Sequence, residues 1–178
     1  LGALAVRLTS PGPVIFRQTR LGRDGRPFEM LKLRTMRPDA DERVHRAHVR
    51  RLIAQGRRAG AWAPLPRDAR VTPVGRVLRR YCIDELPQLV NVLRGDMSLV
   101  GPRPAVPYEA EQWSDWQRSR LSVRPGLTGL WQIDGRGEAD FETMVRMDLD
   151  YIARRSPWLD LQIVARTPMA LLRRRHPA

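Results

Sequence analysis

The sequence predicts a compact α+β domain that is mostly helical and carries one small β-hairpin. Two short segments of strand-like residues are joined through a turn signal, and the segments that follow show helical periodicity instead. The length of 178 residues lies within the usual range of one domain. We therefore predict a single domain over residues 1–178, with residues 39–70 as a charged helix and loop inserted in it.

The composition indicates an anionic partner. Lysine and arginine number 32 against 19 acidic residues, so the net charge is +13, which favours binding to a membrane, a nucleic acid or a nucleotide. Cys82 is the single cysteine of the sequence. An intrachain disulfide and a cysteine-rich zinc site are therefore excluded, and a cytoplasm-facing chain is indicated. No run in the sequence reaches the roughly 20 apolar residues needed to cross a bilayer.

The hairpin is predicted from residues 14–20 and 27–35, which are joined through Asp24-Gly25, a pair typical of tight hairpin turns. Side chains alternate along a strand, so Lys32 and Arg34 share one face. Two cations at this spacing can straddle a diphosphate, Arg34 through its planar fork and Lys32 as a point charge. A solvated basic edge strand is the alternative interpretation.

Helices are predicted in the middle of the chain. Residues 39–55 form a charged, weakly amphipathic helix, and a second helix begins with Thr72 as its N-cap and Pro73 as its first residue. Its basic side includes Arg79, which either approaches the following segment or is a surface charge. A third helix is predicted from the spacing of four apolar residues between positions 86 and 93, and it ends at Gly95.

Two carboxylates, Asp84 and Glu85, precede this third helix. Unpaired backbone N–H groups and the positive end of the helix dipole favour an ionised carboxylate at that point. An ionised carboxylate suits a nucleophile or a metal ligand. Capping of the helix by Asp84 is the alternative, and spacing alone favours it.

Further candidates lie downstream. The turn at residues 101–104 holds Arg103 between two prolines. An arginine on such a restrained backbone loses less conformational entropy when it binds phosphate. Residues 124–137, which include Arg136, are dense in glycine and predict a folded loop whose N–H groups are candidates for cradling a phosphate. On the next predicted helix, Asp148 interrupts an apolar face and needs an arginine or a magnesium ion as its partner. A structural salt bridge is the alternative to a substrate role.

Taken in order, these features resemble the signature of the bacterial sugar transferases, the monotopic phosphoglycosyl transferases of the undecaprenyl-phosphate sugar phosphotransferase type. The matching motifs are SPGPVIFRQ at 10–18, KLRTM at 32–36, DELPQLVNVLRGDMSLVGPRP at 84–104, RPGLTG at 124–129 and QIDGR at 132–136. Asp134 stands where many relatives show asparagine, and Leu33 where many show an aromatic residue. These differences leave the nucleotide and sugar selectivity open.

The resemblance implies transfer of a sugar 1-phosphate from a UDP-sugar to polyprenyl (undecaprenyl) phosphate, with release of UMP. This reaction is the first membrane step of exopolysaccharide, O-antigen or other glycoconjugate assembly. Asp84 is then the expected nucleophile, and Glu85 together with Asp84 is expected to hold Mg²⁺. The candidate substrate-binding residues are Lys32, Arg34, Arg79, Arg103, Arg136 and Asp148.

The resemblance also implies a monotopic, membrane-associated domain at the cytoplasmic face of the inner membrane. Residues 1–9 are then the remnant of a re-entrant membrane helix. A predicted C-terminal helix with an apolar face, followed by the basic residues 173–175, suits the interface of an anionic membrane. Packing of this helix on the core is the alternative. The sequence is also compatible with a homodimer.

Two other classes of function compete with this interpretation. Subtracting Lys32 from the 32 basic residues leaves 31 arginines, as in an arginine-rich nucleic-acid-binding protein, but no recognisable motif of that class is present. A non-catalytic membrane-surface scaffold is the other alternative, and the intact acidic pair argues against it. We therefore expect an enzyme without a nucleic-acid partner.

Overall fold

The computed structural model describes residues 1–55, 65, 68–135 and 139–172. Its helices and strands are, in chain order, α1 (Gly2–Thr9), β1 (Ile15–Leu21), β2 (Pro27–Leu33), α2 (Glu42–Gln55), α3 (Pro73–Arg80), α4 (Gln88–Arg94), β3 (Ser98–Val100), α5 (Pro107–Ala110), α6 (Asp115–Arg118), β4 (Gly126–Thr128), α7 (Phe141–Arg154) and α8 (Pro157–Leu172). The predicted α+β class, mostly helical with a small hairpin, is confirmed. Arg136, most of the loop predicted after α2 and the basic residues 173–175 lie outside the described residues.

The hairpin forms where the sequence predicts it. Strands β1 and β2 are antiparallel, with Ile15 opposite Leu33 at the open end. At the turn, Asp24 and Gly25 both adopt positive φ angles, 57° and 74°, which Asp-Gly tolerates better than most residue pairs. The turn chemistry therefore fixes the register of the two strands.

Helix α3 begins as predicted and packs closely on the end of β2. The Thr72 hydroxyl oxygen accepts a hydrogen bond from the Gly75 N–H at 2.9 Å, and Pro73 is the first helical residue. A Cβ atom at Gly75 would lie 2.1 Å from the Thr35 carbonyl oxygen. Only glycine permits this contact at the start of α3, and the other end of α3 leads into the Ile83–Glu85 turn that carries the predicted carboxylate pair.

Helix α4 ends at Gly95, whose φ of 81° gives the expected left-handed cap. Its orientation is less expected, because its buried residues are the polar Gln88 and Asn91. The Asn91 side chain accepts from the Leu31 N–H at 3.0 Å and donates to the Glu29 carbonyl oxygen at 2.7 Å. These bonds tie α4 to the backbone of β2 and turn its apolar residues outward.

A second sheet was missed by the sequence analysis. Strands β3 and β4 pair in parallel, with Ser98 opposite Gly126 and Val100 opposite Thr128. The prediction of an irregular loop was therefore wrong for Gly126–Thr128, since a strand of three residues carries too few side chains to show alternation. The pairing joins the segment that precedes the Gly101–Pro104 turn to the glycine-dense segment.

Three buried clusters hold these elements together. The largest contains Trp113, Trp131, Phe141 and Met144 and connects α5 and α7. A second joins α1, β2 and α3, and a third joins β3, α7 and α8. Across the described residues, no helix has both the length and the apolar character that crossing a bilayer requires.

Candidate active site

A narrow cleft brings together residues from distant parts of the sequence. Its lining residues are Arg20, Met30, Lys32, Glu85, Gln88, Arg103, Pro104, Gly126, Leu127 and Gln132. A larger cavity of about 570 Å³ lies at the hairpin turn, but none of the predicted site residues lines it. We place the candidate site at the narrow cleft, because three predicted site residues, Lys32, Glu85 and Arg103, meet there.

Asp84 lies in a 3₁₀ turn, Ile83–Glu85, that precedes α4. Its side chain does not cap α4, where Pro87 holds the N-cap position without a side-chain hydrogen bond. Capping, the alternative considered from the sequence, is therefore wrong. Cys82 enters this turn with a φ of 54°, a left-handed conformation that is costly for a residue with a Cβ atom. The turn is thus held in a defined and partly strained shape.

The Asp84 carboxyl is buried, with 6% of its surface exposed. Burial raises the pKa of this carboxyl above its usual range, and repulsion from Glu85 adds to the rise. Attraction to Lys32 and Arg79 opposes it. The two cations therefore favour the ionised form, which is the form that a nucleophile requires.

Lys32 lies opposite the acidic pair on β2. Its Nζ atom is 3.0 Å from Glu85 Oε1, and both side chains are about three-quarters buried. Burial at this level makes the pair stronger than a surface ion pair. Lys32 thus places one positive charge at the cleft.

Arg79 and Arg103 supply further positive charge. The Arg79 Nε donates to Thr35 Oγ1 at 2.8 Å. Burial lowers the pKa of Arg79, and attraction to Asp84 opposes this. Arg103 is half-buried and lines the cleft together with Lys32. Cations thus border the acidic pair from α3, β2 and the Gly101–Pro104 turn.

The structure does not bring Arg34 and Asp148 to the cleft. Arg34 is buried and donates to the carbonyl oxygens of Ser10, at 2.9 Å, and of Pro11, so it holds the chain between α1 and β1. Asp148 is 2% exposed, and its Oδ2 accepts from Arg120 Nη2 at 2.5 Å. The partner that the sequence analysis required for Asp148 is therefore an arginine.

The glycine-dense segment serves backbone packing. The Gly126 N–H donates to the Pro102 carbonyl oxygen at 2.8 Å, and the Gly101 N–H donates to the Thr128 carbonyl oxygen at 2.9 Å. These two groups cannot also cradle a phosphate. The prediction of a phosphate-binding loop is thus wrong for Gly126, although its backbone borders the cleft.

Arg20, Gln88 and Gln132 line the cleft but were not recognised as site residues from the sequence. Gln88 carried a signal, because it lies on the side of α4 opposite the apolar residues. Gln132 lies in a π-helical turn, Trp131–Gly135, a rare geometry that often marks functional sites. No sequence signal distinguished Arg20 from an exposed arginine on a solvated edge strand.

Apolar side chains face outward beside the acidic pair. On α4 and the turn before it, Leu86, Leu89, Val90 and Leu93 are exposed, Leu93 to 88%. Helices α1 and α3, which pack on each other through the second cluster, likewise expose Leu4, Leu8 and Val77, and Tyr81 is exposed directly after α3. The acidic pair, of which Glu85 lines the cleft, therefore lies between a cationic cleft and an apolar surface.

The donor set of the acidic pair fits magnesium. Among the described residues, no group of three or more His, Cys, Asp or Glu side chains forms a ready-made metal site. Mg²⁺ does not need one, since it is commonly held by one or two carboxylates together with substrate phosphates and water. Glu85 lines the cleft and Asp84 is its neighbour in the chain, so the pair offers carboxylate oxygens of that kind.

The chain belongs to the bacterial sugar transferase family. Residues 1–174 match the model of this family, and the match spans the cleft and both ends of the described fold. The candidate site therefore lies inside the region that defines the family.

Named relatives show what related proteins do. A UDP-glucose:undecaprenyl-phosphate glucose-1-phosphate transferase of Caulobacter vibrioides is 48% identical over 97% of this chain and 61% of its own length. An undecaprenyl-phosphate galactose phosphotransferase of Salmonella typhimurium is 41% identical over 92% of this chain and 34% of its own length. The exopolysaccharide production protein ExoY of Rhizobium meliloti is 43% identical over 91% of this chain and 71% of its own length. The chain thus spans only part of the length of these relatives.

Proposed function

We propose that this chain is the catalytic region of an enzyme that transfers a sugar 1-phosphate from a UDP-sugar to polyprenyl phosphate and releases UMP. The position of the acidic pair carries this proposal. Glu85 lines a cationic cleft, Asp84 is attracted to Lys32 in the same cleft, and leucines beside the pair face outward. A water-soluble diphosphate and a lipid phosphate can approach the same carboxylate from these two sides. Family membership and the activities named for the relatives support it.

The first step uses the Asp84 carboxylate as the nucleophile. One of its oxygens forms a bond to the sugar-bearing phosphorus of the UDP-sugar. The bond from this phosphorus to the bridging oxygen breaks, and UMP leaves with the electron pair. The product on the protein is a phosphosugar-aspartyl intermediate, and splitting the transfer in this way lets one carboxylate serve two very different substrates.

Charge neutralisation is the main demand on the site. An anionic carboxylate and an anionic diphosphate repel each other, so cations must offset the negative charge before the atoms can approach. Lys32 lies 3.0 Å from Glu85, and Arg103 lines the same cleft. Arg79 adds a third cation through its attraction to Asp84.

Magnesium fits the same requirement. Glu85 and Asp84 would hold the ion, and the bound ion would supply positive charge to the diphosphate oxygens. Lys32 already forms an ion pair with Glu85, so it is placed to share the negative charge of this carboxylate with a metal.

The second step returns the protein to its starting state. An oxygen of polyprenyl phosphate bonds to the phosphorus of the intermediate, and the bond from this phosphorus to Asp84 breaks. The sugar then sits on the lipid through a new diphosphate, and the Asp84 carboxylate is free again. Such a cycle predicts ping-pong kinetics.

The exposed apolar residues suit attachment to a membrane surface. Helix α4 exposes Leu89 and Leu93 while it buries Gln88 and Asn91, which is the reverse of a helix on a water-facing protein surface. Arginines are plentiful in the sequence, and each one that lies near anionic lipids adds about 1 kcal/mol of attraction. We place the domain at the cytoplasmic face of the inner membrane, where UDP-sugars are available.

A UMP-release assay tests the proposed function. Full-length protein in detergent is incubated with UDP-glucose or UDP-galactose, polyprenyl phosphate and MgCl₂, and free UMP is measured. Asp84→Asn should abolish release without changing the melting temperature. Asp150→Asn is the matched control, since Asp150 is an exposed acid paired with Arg154. Near-normal activity of Asp84→Asn would exclude the nucleophile assignment.

A further inference from the structure

Two buried arginines hold the turn that carries Arg103. Arg20 is 5% exposed, and its Nη1 donates to the Pro104 carbonyl oxygen at 2.9 Å. Its Nε and Nη2 donate to Gln18 Oε1 at 3.1 and 2.7 Å. The guanidinium is therefore bonded on both of its edges and has a fixed orientation relative to β1.

Arg120 contacts the carbonyl oxygen of Arg103, the residue before Pro104. It is 2% exposed, and its Nη2 lies 3.4 Å from the Arg103 carbonyl oxygen and 2.5 Å from Asp148 Oδ2. Its Nη1 lies 3.9 Å from Glu109 Oε1. Asp148 on α7 thus holds this guanidinium through a hydrogen bond, and Glu109 on α5 adds a longer ion pair.

Two consecutive carbonyl groups therefore point at two buried cations. Prolines restrict the backbone within the turn, but they do not set its orientation relative to the cleft. Backbone bonds with Gly126 and Thr128 hold the first half of the turn. The bonds from Arg20 and Arg120 orient its second half, residues 103–104. Burying the Arg20 and Arg120 charges this deeply costs free energy. Apolar side chains would fill the same space at a lower cost.

We propose that Arg20 and Arg120 are positioning residues that orient the Arg103 guanidinium toward the phosphates of the sugar-nucleotide donor. The inference rests on the proposed function, in which Arg103 contacts the donor. Burial and the neighbouring Arg103 lower the pKa of Arg20 to about 10, so Arg20 stays protonated at neutral pH. A protonated Arg20 keeps its N–H groups as donors, so it holds the Pro104 carbonyl oxygen throughout the neutral pH range.

A double-mutant cycle on Arg20 and Arg103 tests the proposal. UMP release from UDP-glucose is measured for Arg20→Met, Arg103→Ala and the double variant. A misplaced contact group lowers activity by about 10- to 100-fold, so Arg20→Met should lower kcat/KM for UDP-glucose by this factor. The loss should vanish in the Arg103→Ala background, because Arg20 acts through Arg103. Arg20→Lys should restore part of the activity through a single bond to the Pro104 carbonyl oxygen.

Controls separate positioning from folding. Arg17→Met removes an exposed arginine of the same strand, paired with Glu29 at 3.0 Å, and should leave kcat/KM unchanged. Arg120→Lys provides a second position whose loss should likewise vanish with Arg103→Ala. Melting temperatures show which variants are folded, and kinetics are compared among those alone.

Several outcomes would overturn the proposal. If Arg20→Met and Arg103→Ala each lower activity and the two losses multiply fully in the double variant, the two residues act independently. Normal activity of Arg103→Ala would equally exclude it. If the wild-type protein releases no UMP, the proposed function fails. The same cycle is then measured by equilibrium binding of UDP-glucose, and additive losses of affinity would overturn the positioning role separately.

Discussion

Replacement of Gly126 by alanine should disrupt the pairing of the parallel strands β3 and β4. A Cβ atom at this position would lie 2.1 Å from the Gly101 nitrogen and 2.4 Å from the Thr128 carbonyl oxygen. Both neighbours are backbone atoms, which cannot rotate away as the end of a flexible side chain can. The strands must therefore separate, and the bonds between them are lost.

The magnitude follows from these bonds. At the ends of the two paired strands, backbone hydrogen bonds of 2.8 to 2.9 Å are donated by Ser98, Gly101 and Gly126, and the expected cost is counted from these three bonds. At about 1 kcal/mol each, their loss costs about 3 kcal/mol. For a chain of this size, 1 kcal/mol lowers the melting temperature by about 2 to 4 °C. Gly126→Ala should therefore lower it by about 6 to 12 °C, measured by circular dichroism during heating.

A matched substitution separates steric overlap from backbone strain. Gly25 has a positive φ of 74°, but a Cβ atom there would meet no other atom within 4 Å. Gly25→Ala should cost only the strain of a left-handed residue, about 1 to 2 kcal/mol. A melting temperature of Gly126→Ala at or above that of Gly25→Ala would refute the steric reasoning.

Three further predictions concern single side chains. Burial raises the pKa of Asp148 to about 6, although attraction to Arg120 opposes this rise. The folded protein therefore keeps the proton that the unfolded chain loses, so the native state becomes less stable as pH rises from about 4 to 6. Asp148→Asn keeps the Arg120–Glu109 pair. Its stability relative to wild type should therefore increase as pH rises, by up to about 3 kcal/mol. A difference in melting temperature that stays constant from pH 4.5 to 7.5 would contradict this. Thr72→Ala removes the cap of α3 and should cost about 1 kcal/mol, read from urea unfolding, with no loss as the contrary result. Leu93→Glu places a charge on an 88% exposed position and should reduce co-flotation with anionic vesicles at unchanged melting temperature; full co-flotation would argue against membrane contact through α4.

Local signals in the sequence predicted the parts of the fold that depend on neighbouring residues. Thr72 and Pro73 mark the start of α3, Asp24-Gly25 forms the hairpin turn, and Gly95 ends α4. Each of these depends on the backbone preferences of one or two residues. Such preferences act regardless of the rest of the chain.

The direction in which α4 faces could not be predicted in this way. Helical spacing shows that Leu89 and Leu93 share one side, but it does not show which side meets the protein. Asn91 decides this through bonds to the backbone of β2, 60 and 62 residues earlier in the chain. A buried amide with its partners satisfied is a tertiary feature with no periodic signal.

The candidate site was predicted in part. The sequence identified the acidic pair, and the structure places Lys32 3.0 Å from Glu85. Arg34 was assigned to the cleft together with Lys32, but its guanidinium donates to carbonyl oxygens of the segment between α1 and β1, and strand alternation carries no information about these partners. Arg120 was overlooked because its partner Asp148 lies 28 residues further along the chain.

Chemical trapping of the intermediate tests the central claim most directly. The full-length protein is mixed with UDP-glucose labelled in the sugar-proximal phosphate, without polyprenyl phosphate, and quenched within one turnover. The account predicts a label bound covalently to the peptide that contains Asp84, lost on addition of polyprenyl phosphate and absent from Asp84→Asn. Transfer of labelled sugar phosphate to the lipid with no labelled protein at any quench time would contradict it.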